Sequence, residues 1–275
     1  MKDDEVKKAV KEGYAKIAKK SCSCCGPTVD ACGTPRGSQV SKGVGYTDEE
    51  LKAIPEDADM GLGCGNPVAL STLREGETVL DLGSGGGIDC FLAAGRVGEK
   101  GRVIGVDMTA EMVEKARENA KRGGFENVEF RLGDIEDIPV DDGSVDVIIS
   151  NCVINLSPDK GKVFREAFRV LTPGGRMFVS DIVLLKELPE AVKADMGAYV
   201  GCLSGAVLRE DYIGLIERAG FQDVSIRTES SCSMEVLSND PTVSAMMSSF
   251  DLSREEAEEA IRSVISVIVE GTKPV

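Results

Sequence analysis

The stretch VLDLGSGGG at Val79–Gly87 constrains this chain more than any other, because an apolar strand runs straight into a glycine turn that opens a helix. Small residues there let a ligand approach the backbone and the N–H groups of a helix start. From Thr78 onward strand and helix signals alternate. TVLDL is followed by the helical IDCFLAAGRV, then by RVIGVD, and then by a helix opened by Thr109 with Glu111 in its first turn and closed near Gly123-Gly124. VEFRLGD, VDVIISN and RMFVSDI follow as strands, with a helix over Lys162–Val170 that stops before a Pro173-Gly174-Gly175 turn. The last third carries helices near Leu208–Ala219, Pro241–Phe250 and Arg254–Ile261 and strands over Val224–Thr228 and Val264–Gly271. Apolar strands separated by helices imply a doubly wound α/β fold, a mostly parallel seven-stranded sheet covered on both faces.

Ahead of this core, Val6, Ala9, Val10, Tyr14 and Ile17 recur at helical spacing among lysines, the pattern of a lid or docking helix over residues 2–20. SCSCCGPTVDACGTPRGSQ then has a loop composition. The expected organisation is a helix and Cys-rich arm over 1–70, a ligand-binding core over 71–185, and substrate-side helices with the closing strands of the same sheet over 186–275.

Composition narrows the chemistry. There are nine cysteines and no histidine, so sulfur rather than imidazole carries any soft-ligand or nucleophilic role. A net charge of -15 argues against nucleic acid or an anionic membrane as a partner, for which a basic face supplies most of the attraction. The N-terminal MKDDEVKKAVKEGY lacks a signal-peptide core and no run approaches the roughly 18 apolar residues of a membrane span, so a cytoplasmic location is expected. An odd cysteine count there points to free thiols, metal binding or transient disulfides.

The dinucleotide fingerprint needs glycine at the first, third and sixth loop positions; counted from Gly83, the third is Gly85 but the sixth is Ile88, which disfavours NAD. Asp107, ending the next strand, is placed to accept both ribose hydroxyls, and Asp81 is a carboxylate that can face a cationic group. The plainer alternative is that both acids cap helices and the glycines only make a turn. Open α/β sheets bind ligands beyond the carboxyl ends of their strands, so Cys152, directly after Asn151 at the end of strand four, points toward the ligand cleft.

The loop and these acids resemble class I S-adenosylmethionine-dependent methyltransferases over roughly Thr78–Asp181. That resemblance implies cofactor contacts from Asp81, Gly83, Ser84, Gly85, Gly87, Asp107 and Met108, with Asp134 and Ile135 near the adenine and Asn151 on the methionine side.

SNCVINLSPDK, with GLGCGNP upstream and GCLSGAVL downstream, resembles arsenite methyltransferases, and the similarity spans Tyr14 to about Ile226. It implies that Cys152, Cys202 and Cys64 hold As(III), with Cys64 also serving redox turnover alongside an N-terminal cysteine, for which Cys24, Cys25 and Cys32 are all candidates. Arsenite or its thiol complexes would be the substrate, and thioredoxin or a small thiol the reductant. Cys90, inside an apolar helix, is expected to pack. Cys232 reads as a bystander, Cys22 as a spare thiol, and Tyr14 as packing of the first helix. A structural zinc site on Cys22, Cys24, Cys25 and Cys32 lacks paired CxxC knuckles. Two other functions use the same residues: methylation of a small organic molecule at carbon or oxygen, and a non-catalytic metalloid- or zinc-binding module.

Overall fold

A computed structural model describes residues 3–20, 36–231 and 254–275. The helix at the start, α1 (Asp3–Lys20), buries Val6 and Val10 as its spacing requires. Then come α2 (Arg36–Gly43), α3 (Asp48–Lys52) and α4 (Pro67–Leu70). Alternation follows through β1 (Thr78–Leu82), α5 (Ile88–Val97), β2 (Arg102–Asp107), α6 (Ala110–Gly123), β3 (Val128–Leu132), β4 (Val145–Asn151), α7 (Lys160–Val170) and β5 (Leu171–Leu184). The chain closes with α8 (Glu190–Lys193), α9 (Met196–Val200), α10 (Arg209–Arg218), β6 (Gln222–Ser231), α11 (Arg254–Ser263) and β7 (Val264–Thr272). Among the described residues, no helix is long and apolar enough to cross a membrane.

The seven strands lie in the order β3-β2-β1-β4-β5-β7-β6. The first five pair in parallel, while β7 runs antiparallel between β5 and β6. Strand alternation divides the core into two layers. Leu80, Leu82 and Ile148 face one side with Val163, Phe164 and Ile216 of α7 and α10. Val79, Val147 and Ile149 face the other with Phe91 and Val97 of α5 and Val113 and Ala116 of α6. Strand order reverses between β1, whose neighbours are β2 and β4, so the ends of β1 and β4 open the crevice where such sheets bind ligands.

Two local expectations need correction. The segment read as loop through Gln39 is already helical from Arg36. The Pro173-Gly174-Gly175 segment does not form a turn between elements. It is a bulge within β5: the register with β4 jumps from Val145↔Leu171 to Val147↔Arg176, and Gly174 and Gly175 exchange backbone bonds with Lys273. Pro173 is tolerated because the pairing with β4 skips from Leu171 to Arg176, so no ladder bond to β4 is asked of its missing N–H. The helix expected over Pro241–Phe250 lies outside the described residues.

Candidate active site

One cavity of about 1110 Å³ opens at the carboxyl ends of β1 and β4 and runs from the glycine loop to the cysteines. Its floor is set by backbone geometry. Gly83, Gly85 and Gly87 have φ of 73°, 49° and 97°, in the left-handed region where a side chain is strained. Gly83 and Gly85 line the cavity with Ser84, whereas Gly87 is not among the lining residues and serves as the N-cap of α5, packed by Phe91 and Phe130. Asp107 holds the loop closed: its Oδ2 accepts the Gly85 N–H at 3.0 Å and its Oδ1 the Thr109 N–H at 2.8 Å. Burial pushes this carboxyl up, opposed by those amides. The capping reading of Asp107 and the ligand reading are therefore compatible, since a carboxylate offers about four acceptor positions and the loop does not fill them all.

Beside the loop lies a network the sequence did not announce. Tyr46 donates its hydroxyl to Asp89 Oδ1 at 2.7 Å, while Asn151 Nδ2 lies within reach of Asp89 Oδ2, the Tyr46 hydroxyl and the Gly65 carbonyl. Asn151 Oδ1 in turn accepts the Cys64 N–H at 3.1 Å, so the end of β4 fixes the segment carrying Cys64. Asp81 is buried and accepts the Cys90 thiol at 3.2 Å; Cys90 is wholly buried, as its packing role requires. Burial raises the Asp81 carboxyl well above its usual range and lifts Asp89 to about 6.

A pH dependence follows. Asp89 holds its proton in the folded chain up to about pH 6 but releases it near 3.8 when unfolded, so its contribution is present below that lower value and lost as pH rises through 6. The span corresponds to something on the order of 3 kcal/mol. Asp89→Asn is expected to flatten the fall in Tm between about pH 4 and 6 relative to the parent. A constant offset from the altered hydrogen bonds is irrelevant; parallel curves for the two proteins would refute the assignment.

Cys64, upstream of β1, converges with strand-end Cys152 and downstream Cys202. Cys152 leaves β4 with φ 58° and Cys202 follows α9 with φ 63°, both in the left-handed region that non-glycine residues rarely occupy. The Cys202 thiol donates to the Cys152 carbonyl at 3.0 Å, and Cys64 Sγ lies 3.7 Å from Ser180 Oγ. The neighbouring Cys202 and Cys64 thiols, with burial, push the Cys152 thiol well above its usual range. Two residues of α1 close the site from above. Tyr14 brings its hydroxyl to 4.0 Å from Cys202 Sγ, and Lys7 bridges Asp134 and Glu136 at 2.7 Å each, so α1 lies across the cavity from Asp134 to the thiols. Met108 and Ile135 line the wall between them, with Met108 packed in the same apolar cluster as Cys152 and Cys202. Cys22, Cys24, Cys25, Cys32 and Cys232 lie outside the described residues.

Asp181 and Lys160 were missed in the sequence. Asp181, wholly buried in β5, accepts from Asn155 Nδ2, the Ile182 N–H and the Tyr212 hydroxyl; burial lifts it to about 6. Lys160 is buried at the start of α7 and lowered by burial to about 8. The available signal was an acid inside the apolar run MFVSDIV and, in α5, another in IDCF.

Comparison with known proteins accounts for this arrangement. A family described as a methyltransferase domain matches residues 73–220. An arsenite methyltransferase of Mus musculus is 35% identical over 286 aligned positions, covering 98% of this chain and 73% of that protein. The chain belongs to the arsenite methyltransferase family. A second member, from Halobacterium salinarum, is 47% identical over 81% of this chain, and this chain spans 59% of that relative's length. Among solved structures, an arsenic(III) S-adenosylmethionine methyltransferase from Chlamydomonas reinhardtii shares 32% identity with a TM-score of 0.61, over 88% of this chain and 74% of that one. A Haemonchus contortus phosphoethanolamine methyltransferase, at 19% identity and the same TM-score of 0.61, shares the fold alone. The expected seven-stranded class I methyltransferase architecture and the arsenite methyltransferase family are thus both established.

The cavity suits the family's cofactor on its own terms. Ser84 Oγ is buried on its wall without a hydrogen-bond partner, Gly85 leaves open space where a side chain would stand, and Asp107 retains acceptor capacity beside both.

Proposed function

We propose that this chain transfers the methyl group of S-adenosylmethionine to trivalent arsenic held by Cys64, Cys152 and Cys202. The observation that carries the reading is the convergence of Cys64, Cys152 and Cys202 on the wall of the cavity that also holds the glycine loop, with Cys64 Sγ within 4.8 Å of Cys152 Sγ and the Cys202 thiol on the Cys152 carbonyl. Thiolates are soft ligands, and three of them suit a pyramidal As(III) centre whose lone pair stays free. When arsenite binds, each thiol proton leaves with an arsenic-bound hydroxide as water.

Asp107 and Ser84, with the close backbone approach that Gly83 and Gly85 allow, would hold the ribose and methionine portions of the cofactor, Asp134 and Ile135 the adenine, and Asn151 with the buried acids Asp81 and Asp89 the cationic end. Bound there, S-adenosylmethionine supplies an electrophilic methyl. The chain's own contribution is positioning and exclusion of water: α1 covers the cleft, and the apolar cluster of Val10, Leu156 and Tyr199 walls the thiols. The nucleophile is a lone pair and gives up no proton, which fits a chain without histidine. Arsenic loses two electrons formally on methylation, so a dithiol must supply two. Cys64 with one of Cys24, Cys25 or Cys32 would close a disulfide that thioredoxin or a small thiol reopens.

The test incubates the full chain with arsenite, methyl-labelled S-adenosylmethionine and a reducing thiol, and separates the arsenic species. Label in methylated arsenic is expected. Tight binding of arsenite and cofactor without transfer would overturn the proposal. Undiminished multiple turnover after every external thiol is removed would remove the recycling step from it.

A further inference from the structure

The tightest group of ligand atoms at the thiols is not three sulfurs. Cys64 Sγ, Cys152 Sγ and a carboxylate oxygen of Asp181 all lie within 4.8 Å of one another. Asp181 is wholly buried, so it differs from the exposed acids that gather without consequence. Its Oδ1 is filled by Asn155 Nδ2 at 2.8 Å and the Ile182 N–H at 2.9 Å; its Oδ2 accepts only the Tyr212 hydroxyl at 3.1 Å and keeps one acceptor position. The carboxylate is thus held in a fixed orientation by three donors, as ligating carboxylates are.

This donor set does not match arsenic. As(III) is thiophilic and takes three sulfurs, and a carboxylate beside three thiols only adds negative charge that opposes their ionisation. Two thiolates and one carboxylate suit a borderline dication, which accepts sulfur and oxygen together in a tetrahedral shell. Charge agrees: two thiolates and a carboxylate sum to three negatives, a dication leaves one, and the buried Lys160 ammonium, which interacts with Asp181, offsets it. Cys64 and Cys152 both line the cavity, so water can complete the shell.

We propose that Cys64, Cys152 and Asp181 form a site for a zinc-class dication such as Zn²⁺ or Cd²⁺, overlapping the metalloid site through two shared sulfurs. Binding releases the two thiol protons to solvent and involves no electron transfer. Arsenic and the dication then exclude each other, a consequence that rests on the function proposed above; the dication site itself does not. The two ions divide the remaining ligands: Cys202 serves arsenic and is dispensable for the dication, whereas Asp181 serves the dication.

The experiment uses the 275-residue chain with Cys22, Cys24, Cys25, Cys32 and Cys232 changed to Ser, so that only the described thiols remain. Cd²⁺ is titrated against a chromophoric chelator, and ¹¹³Cd NMR reads the number of sulfur ligands. One Cd²⁺ per chain with a two-sulfur chemical shift is expected. Cys202→Ser should leave affinity within about twofold, while Cys64→Ser, Cys152→Ser and Asp181→Asn each lower it about tenfold or more, at least the loss typical of an outer-shell partner. A three-sulfur shift, or a loss in Cys202→Ser equal to that in Cys64→Ser, overturns the proposal. Both readings leave Asp181 intact, so they decide the matter even if Asp181→Asn does not fold. Arsenite is then added to the cadmium-loaded chain. Displacement supports the overlap; retention of Cd²⁺ with a two-sulfur shift supports the dication site and counts against the arsenic reading instead.

Discussion

Cys152→Ser is expected to lower arsenic methylation by roughly a thousandfold or more, a loss of at least about 4 kcal/mol in transition-state stabilisation, while cofactor affinity stays within about twofold of the parent. The reason is the central place of this thiol. Cys64 Sγ lies within 4.8 Å of Cys152 Sγ and the Cys202 thiol reaches the Cys152 carbonyl, so Cys152 is the residue both of the others neighbour and its sulfur is the one the set can least spare. A serine hydroxyl is a hard, weakly acidic donor that cannot replace thiolate on a soft centre. Folding should survive, because Ser adopts the same left-handed backbone no less readily than Cys and differs by one atom. Kinetics with arsenite and calorimetric titration of the cofactor separate the two effects. Methylation within tenfold of the parent would show that the arsenic is held elsewhere.

Gly83→Ala should cost about 2–4 kcal/mol of stability, combining the left-handed penalty with overpacking. At φ 73° the added methyl would stand 2.4 Å from Val153 Cγ2 and 2.6 Å from Val153 Cβ. Valine is stiff about χ1 and cannot swing aside cheaply. Val153 is the residue after Cys152 and packs against both the main core and the thiol cluster, so the displacement passes from the glycine loop to the thiols. Urea denaturation reads the stability term. A change below about 0.5 kcal/mol, the size of an ordinary surface substitution, would mean that the loop tolerates a side chain there and that this coupling is absent.

The sheet was legible because its signals are local. β1, β2 and β4 announce themselves as short apolar runs, Gly83–Gly87 marks the turn, and Thr109 and Gly124 bracket α6. Topology then carried Cys152 to the cleft, since β4 pairs with β1. Pro173 misled because a proline with two glycines punctuates loops and bulges alike, and only the pairing partner, here Lys273 far along the chain, tells them apart. Asp181 and Asp89 stayed hidden for a related reason. An acid in an apolar segment is visible, but what makes it functional is the set of donors around it, and Tyr212, Asn155 and Tyr46 come from distant positions. Family resemblance named three sulfurs, whereas spatial proximity selected two sulfurs and an oxygen.

Cys152 and Cys202 occupy backbone conformations that glycine fills at less cost, by roughly 1–2 kcal/mol at each position. A search for stabilising substitutions that scores folding alone would therefore tend to relax these two positions toward glycine. Two of the thiols proposed to hold arsenic thus sit on strained backbone, and heat tolerance and the proposed chemistry pull on those two residues in opposite directions.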